Sequence, residues 1–143
     1  MQFEDEILIN AGIDRVWAVY TDVEHWPEWT ASVRDIRYTD GDTLDVGARV
    51  QIAQPKLPTA TWEVSSIDPG RSWTWIATGP GVRTTAMHTL EPAGTDKTRV
   101  QQTLVQSGPM GSIIGRVYSK LTRRYLAMEA SGLKQRCEHD SSA

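Results

Sequence analysis

The side chains best suited to chemistry in this chain are one histidine and two tyrosines, His88, Tyr118 and Tyr125, set in a sequence with six tryptophans. An imidazole titrates near neutral pH and can take a proton from an acidic carbon, while a phenol can donate a hydrogen bond to the oxyanion that forms. His88 and Tyr118 are therefore the candidate acid and base. Tyr125 follows Tyr118 by two helical turns and shares its face. The alternative for His88 is a buried ring held by a neighbour, because spacing offers it no acidic partner. The alternative for the tyrosines is packing in the core with the hydroxyls at the rim.

A second group of titratable residues lies in Asp22-Val-Glu-His-Trp-Pro-Glu-Trp29. Its acids and His25 match the ligand spacing of neither a zinc site nor a calcium loop, so no metal is expected. The pattern also holds no nucleophile elbow, phosphate loop or dinucleotide fingerprint, and no cofactor is expected. What the segment does offer is two indoles, Trp26 and Trp29, around Pro27. A proline disfavours helix for the residue before it, so the chain is expected to break at Trp26 and turn. Two rings on such a bend suit the lip of an apolar pocket or the plug of a core.

The elements that would position these groups follow from periodicity. Residues 3 to 10 alternate as a strand, and Ile13, Val16, Trp17 and Tyr20 recur at helical spacing. Six further strands are expected at about 33–39, 47–54, 59–67, 72–78, 82–91 and 97–106, separated by Gly, Pro and Asp turns. After Pro109, the residues Ile114, Tyr118, Leu121, Tyr125 and Met128 form one stripe of a long helix. Alternation turns Trp62, Trp73 and Trp75 to the inner face of the sheet, with Thr84, His88 and Leu90 beside them and Val100, Gln102 and Leu104 on the last strand. Arg49 and Arg83 fall outside. The expected fold is α+β: a seven-stranded curved antiparallel sheet around a long C-terminal helix, with two short helices after the first strand.

Length fits one domain, taken as 1–139, with 140–143 as a disordered tail. The net charge of -3 divides unevenly, with acids dominating residues 1–45 and bases dominating 112–139. An acidic chain is a poor candidate for nucleic acid. The basic run Arg116, Lys120, Arg123 and Arg124 reads as a solvated helix face. No stretch is long and apolar enough to span a bilayer and no signal segment opens the chain, so a soluble cytoplasmic protein is expected. The lone Cys137, placed in the polar end of the chain, agrees with a reducing compartment.

The order of elements, together with Ile13-Asp-Arg-Val-Trp17, Asp22 to Trp29, Val46-Gly-Ala-Arg-Val50, Ile67-Asp-Pro-Gly-Arg71 and Gly94-Thr-Asp-Lys-Thr-Arg-Val100, resembles the START-like or SRPBCC superfamily. Within it, the chain looks like the polyketide cyclase/dehydrase group. The resemblance covers residues 3 to about 137 and implies the helix-grip, Bet v 1-like fold with an interior space for a hydrophobic ligand. Its motifs mark scaffold more than reaction, because one fold hosts many functions.

The leading expectation is thus a protein that encloses a small hydrophobic molecule, aromatic, polyketide-like or lipid-like. Trp26, Trp29, Trp62, Trp73 and Trp75 would supply the walls on one side, and Ile114, Leu121 and Tyr125 those of the helix. Thr84 and Gln102 would orient polar atoms of the ligand. The alternatives are a polyketide aromatase/cyclase or dehydratase using His88 and Tyr118, and a regulatory or stress module binding a protein partner through its basic helix face. That last reading predicts a small or filled interior.

Overall fold

The computed structural model describes residues 1–139, and the expected tail at 140–143 lies outside them. Seven strands run β1 (Gln2–Ile9), β2 (Asp35–Tyr38), β3 (Arg49–Ala53), β4 (Ala60–Asp68), β5 (Ser72–Gly79), β6 (Val82–Pro92) and β7 (Thr98–Ser107). They pair antiparallel in the order β1-β7-β6-β5-β4-β3-β2, so the first strand closes on the last while β2 ends the opposite edge. Helix α1 (Ile13–Thr21) and a 3-10 segment (Val23–Glu28) follow β1, and α2 (Gly111–Val117) and α3 (Ser119–His139) close the chain. This is the helix-grip arrangement expected from the turn signals, with strand limits within two or three residues of those read from alternation.

The inner face also agrees with the alternation. Trp73, Trp75, Val64, His88, Leu90, Val100 and Gln102 are buried, whereas Arg49 and Arg83 are exposed. A register irregularity between Val64 and Ser66 shifts β4 by one residue, which returns Ile67 to the inner side opposite Trp73. Across the middle of the sheet the register aligns one row: Trp73 opposite His88, His88 opposite Gln102, and Gln102 opposite Asp5. Three of these four side chains are polar.

Three expectations need correction. The helix break falls at Asp22 (φ -81, ψ 67), before Trp26, and Pro27 sits inside the 3-10 segment. That position is tolerated because the local hydrogen bonds run from Trp29 N–H and Thr30 N–H to the Trp26 carbonyl and never call on the N–H that proline lacks. The C-terminal helix is interrupted at Tyr118 (φ -101, ψ 12), so Ile114 belongs to α2 and Leu121 to α3. The two pieces dock differently, α2 on β6 and β7 and α3 on β1 and α1. Cys137 is not in a polar tail: it is fully buried on α3 with Leu133 and Ala130.

Helix α3 is held by contacts in its last turns. Glu138 accepts the backbone N–H of Asn10 and the Lys134 ammonium, and Arg136 pairs with Glu28 at 2.7 Å. Just before them, Gly132 meets the loop after the 3-10 segment so closely that a Cβ there would overlap the Trp29 carbonyl oxygen. Alanine normally favours a helix over glycine by about 1 kcal/mol. Here the clash is with backbone, which cannot rotate away, so we expect Gly132→Ala to destabilise the fold by roughly 1–3 kcal/mol. A urea midpoint that rose in this variant would show that α3 is not seated on Trp29.

Candidate functional site

The inner face carries a continuous cluster of rings. Trp62 lies 6.0 Å from Trp75, Trp75 5.7 Å from Trp73 and 5.6 Å from Trp26, and Trp26 5.6 Å from Trp29. Tyr20 enters from α1 and occupies the centre, at 4.8 Å from Trp73, 5.7 Å from Trp26 and 5.5 Å from His88. The Trp26 indole fixes this layer by donating to the Tyr20 carbonyl at 2.8 Å. All five tryptophans expected as walls are therefore in one cluster, joined by Tyr20. Of the other expected site residues, Thr84 is half-buried on β6, while Ile114, Tyr118 and Leu121 are half-buried around the α2–α3 junction and lie outside the main core cluster. Tyr125 is buried and donates its hydroxyl to the Pro55 carbonyl, which ties α3 to the β3–β4 loop.

His88 is stacked on Trp73 at 4.0 Å and 9°, and its Nδ1 lies 3.2 Å from the Trp73 carbonyl oxygen. Burial disfavours the charged ring and pushes its pKa down to about 3, against a small opposing effect of that backbone contact. At neutral pH it is an uncharged aromatic surface. The acid that spacing did not reveal is Glu129 of α3, which accepts the Tyr20 hydroxyl at 3.1 Å. Tyr20 in turn accepts the Gln102 amide at 2.8 Å. Burial pushes the Glu129 carboxyl up to about 7, with hydrogen bonds from Tyr20 and Gln102 opposing the rise and the charge of Asp5 adding to it. Burial, then Glu129, raises the Tyr20 phenol well above its ordinary value, so it stays protonated and donates.

The polar part of the interior is thus a chain, Gln102 to Tyr20 to Glu129, with Asp5 beside it on the first strand. Two polar atoms of this region, Gln102 Oε1 and Trp73 Nε1, are buried without a hydrogen-bond partner. The missed acid had a visible signal. Glu129 lies one turn after Tyr125 on the apolar side of the helix, where a charge is costly unless it is used or paired.

The residues weighed as a metal cluster are engaged with each other. His25 Nδ1 is 2.8 Å from Asp22, which raises the His25 pKa, and Glu28 binds Arg136. Grooves open on the outside of the described residues. One, of about 420 Å³, lies between Trp29 to Ala31 and the α3 residues Arg124, Met128, Ser131 and Gly132. Another, of about 470 Å³, lies between α1 and the loop at Asp42 to Asp45 and includes Trp17 and Tyr38. Trp29 is the ring shared by the first groove and the interior cluster.

A curved antiparallel sheet gripping a C-terminal helix defines the helix-grip fold class. The chain belongs to the family described as polyketide cyclase / dehydrase and lipid transport, which it matches over residues 1–138. Among solved structures it is similar to a hypothetical protein of Helicobacter pylori, with TM-score 0.80, 14% identity and coverage of 96% of this chain and 88% of that one. It is similar to norcoclaurine synthase of Thalictrum flavum in complex with a transition-state analogue, with TM-score 0.77, 15% identity and coverage of 99% and 96%. It also resembles the di-domain aromatase/cyclase BexL of the BE-7585A biosynthetic pathway, with TM-score 0.74, 17% identity and coverage of 96% of this chain and 48% of that one. At such identities the likeness establishes the shared fold alone. Comparison with curated protein sequences gave no match.

The two buried titrating groups act on stability in opposite directions. Glu129 binds its proton more tightly folded than unfolded, so its contribution is present below about 4.5 and is lost as pH rises through about 7. His88 binds its proton less tightly folded, so its contribution is present above about 6.5 and is lost as pH falls toward about 3. The slopes offset each other in the overlap. We expect Glu129→Gln to remove the first and leave stability rising steadily with pH across the His88 window, as read by urea midpoints over a pH series. Parallel wild-type and variant curves would place the Glu129 carboxyl in water.

Proposed function

We propose that this chain binds a small hydrophobic molecule, aromatic, polyketide-like or lipid-like, between the inner face of the sheet and α3. The observation that carries this reading is the pair of unpartnered polar atoms, Gln102 Oε1 and Trp73 Nε1, in an otherwise ring-lined interior. Each such group costs roughly 1–3 kcal/mol when buried without a bond. A ligand hydroxyl can donate to an amide oxygen, and a ligand carbonyl can accept from an indole, so a ligand carrying one or both would recover part of that cost. Trp26, Trp62, Trp73, Trp75 and His88 supply the apolar walls, and Gln102 with the Tyr20–Glu129 pair supplies orientation, in the proportion usual for ligand sites. Thr84 extends the polar side along β6, and Tyr125 borders the helix side. A single cysteine, and no helix among the described residues long and apolar enough to cross a membrane, support a cytoplasmic setting.

Because Tyr20, Trp26 and Trp29 pack over the sheet, the ligand enters by displacing part of that layer. Trp29 is the door in this reading, since the outer groove stops at its ring. Native mass spectrometry of the purified protein is expected to show a bound small molecule released on unfolding. Trp29→Ala is expected to increase uptake of an apolar dye by about tenfold, as about 1–2 kcal/mol of ring contacts no longer closes the entrance. If nothing co-purifies and neither protein takes up dye, the binding reading fails.

A second reading, an enzyme of the cyclase or dehydratase kind, is favoured by one observation: a carboxyl with a pKa pushed up to about 7 hydrogen-bonded to a phenol that stays protonated. That is the poise of a general base: once Glu129 has taken the substrate proton it can donate to the Tyr20 oxygen, and the Tyr20 hydroxyl proton is then free to turn toward the enolate. In it Glu129 and Tyr20 take the roles expected of His88 and Tyr118, and His88 serves as a wall. The wild type is then expected to speed deuterium exchange at the central carbon of a 1,3-dicarbonyl probe, with a rate rising through about pH 7 and lost in Glu129→Gln. An unchanged rate in that variant would leave binding alone.

A further inference from the structure

A different face of the molecule is unexplained by the interior. Helix α2 turns Gly111 and Gly115 inward, where added Cβ atoms would press on the Gln106 carbonyl and on Met1. Its opposite side therefore stands outward, and apolar side chains lie exposed there beside Arg116. Ile113 is 53% and Val117 70% exposed, with Met110 at 39% just before the helix. Residues 110, 113 and 117 lie on one helical stripe, so these groups form a single convex apolar ridge. Leaving such branched side chains in water is uncommon unless something covers them.

The charges that follow the ridge along the chain are of one sign. Arg116 sits on its edge within α2, and Lys120, Arg123 and Arg124 follow on the first turns of α3, all exposed. No Asp or Glu occurs between Thr98 and Met128. Arg123 lies 5.0 Å above the Phe3 ring, and none of the four cations makes an ion pair among the described residues. A short apolar ridge flanked by unpaired cations is complementary to a surface that is apolar just below a layer of negative charge.

We propose that the α2 ridge docks on the surface of a membrane containing anionic lipid, with Ile113 and Val117 entering the headgroup boundary and Arg116 and Lys120 meeting the phosphates. Apolar burial and electrostatic attraction both contribute to interfacial binding of this kind, and neither requires a spanning helix. The ridge is convex, which fits a deformable headgroup layer. This docking is independent of the interior site: its failure leaves the ligand reading standing, and loss of ligand binding leaves docking intact.

Flotation with vesicles tests it. The full chain is expected to float with vesicles of phosphatidylcholine mixed with phosphatidylglycerol and to stay in solution with phosphatidylcholine alone, the binding weakening as salt is added. Val117→Asp and Arg116→Glu are each expected to reduce binding roughly fivefold or more. Val46→Asp, at a position 62% exposed on the β2–β3 loop, is expected to leave it unchanged. Since these side chains are exposed, circular dichroism melts should be alike for all variants. Equal flotation with both vesicle types, or wild-type flotation of Val117→Asp, overturns the proposal. So does a concentration-dependent dimer that Val117→Asp abolishes without flotation in the wild type, which would assign the ridge to a second copy of the chain.

Discussion

The interior depends on one side chain, Tyr20, because it is where α1, the sheet and α3 meet. Its ring packs edge-on against Trp73 and His88 and stacks on Trp26, while its hydroxyl joins Gln102 of β7 to Glu129 of α3. A phenol suits this place because its body is apolar and its tip both donates and accepts. Phenylalanine would keep the packing but leave an amide and a carboxyl without their shared partner. The hydroxyl thus fixes the depth at which α3 crosses the sheet. Trp29 and Gly132 fix how closely the same helix approaches the 3-10 segment.

A dry interior then decides the charge states. The environment that keeps His88 neutral also holds Glu129 partly protonated, because each charged form would lose its water. The two groups differ in what they can still do. His88 offers a flat ring, whereas Glu129 holds a carboxyl, shielded from water though the residue as a whole is half-buried, that titrates near neutral pH. The histidine has the more familiar chemistry, but its surroundings remove it; the acid gains a useful pKa from the same surroundings. This contrast in protonation is physical, since desolvation moves a cationic acid down and a carboxylic acid up.

That contrast also marks what the sequence could and could not show. Strand positions and inward residues were legible because alternation has a period of two and turns carry Gly and Pro, so Trp73, His88 and Gln102 fell correctly on one face. Their mutual register was not, since it depends on how β5, β6 and β7 slide past each other. Tyr20 was visible as part of an apolar helix stripe, yet nothing in the spacing linked it to a residue more than a hundred positions away. The break at Tyr118 was hidden for another reason. No Gly or Pro occupies it, and it arises because Gly111 and Gly115 let α2 lie on β7 while α3 follows β1.

An interior filled with rings appears at first to argue against a ligand, but the packing is less decisive than the polarity. The contacts of Trp26 with Trp29 and Trp75, and of Trp62 with Trp75, are tilted at 5.6–6.0 Å, worth about 0.5–1.5 kcal/mol each beyond burial, and an aromatic guest can replace them with contacts of the same kind. Binding would then turn on a small difference between two similar sets of apolar contacts. The unpartnered amide oxygen and indole N–H tip that difference, because only a guest with its own polar atoms can answer them. A purely aliphatic guest would lose the ring contacts and leave both groups as they are. Under the proposed binding, the interior would favour aromatic molecules bearing oxygen over simple hydrocarbon chains, by the bonds it lacks as much as by the walls it presents.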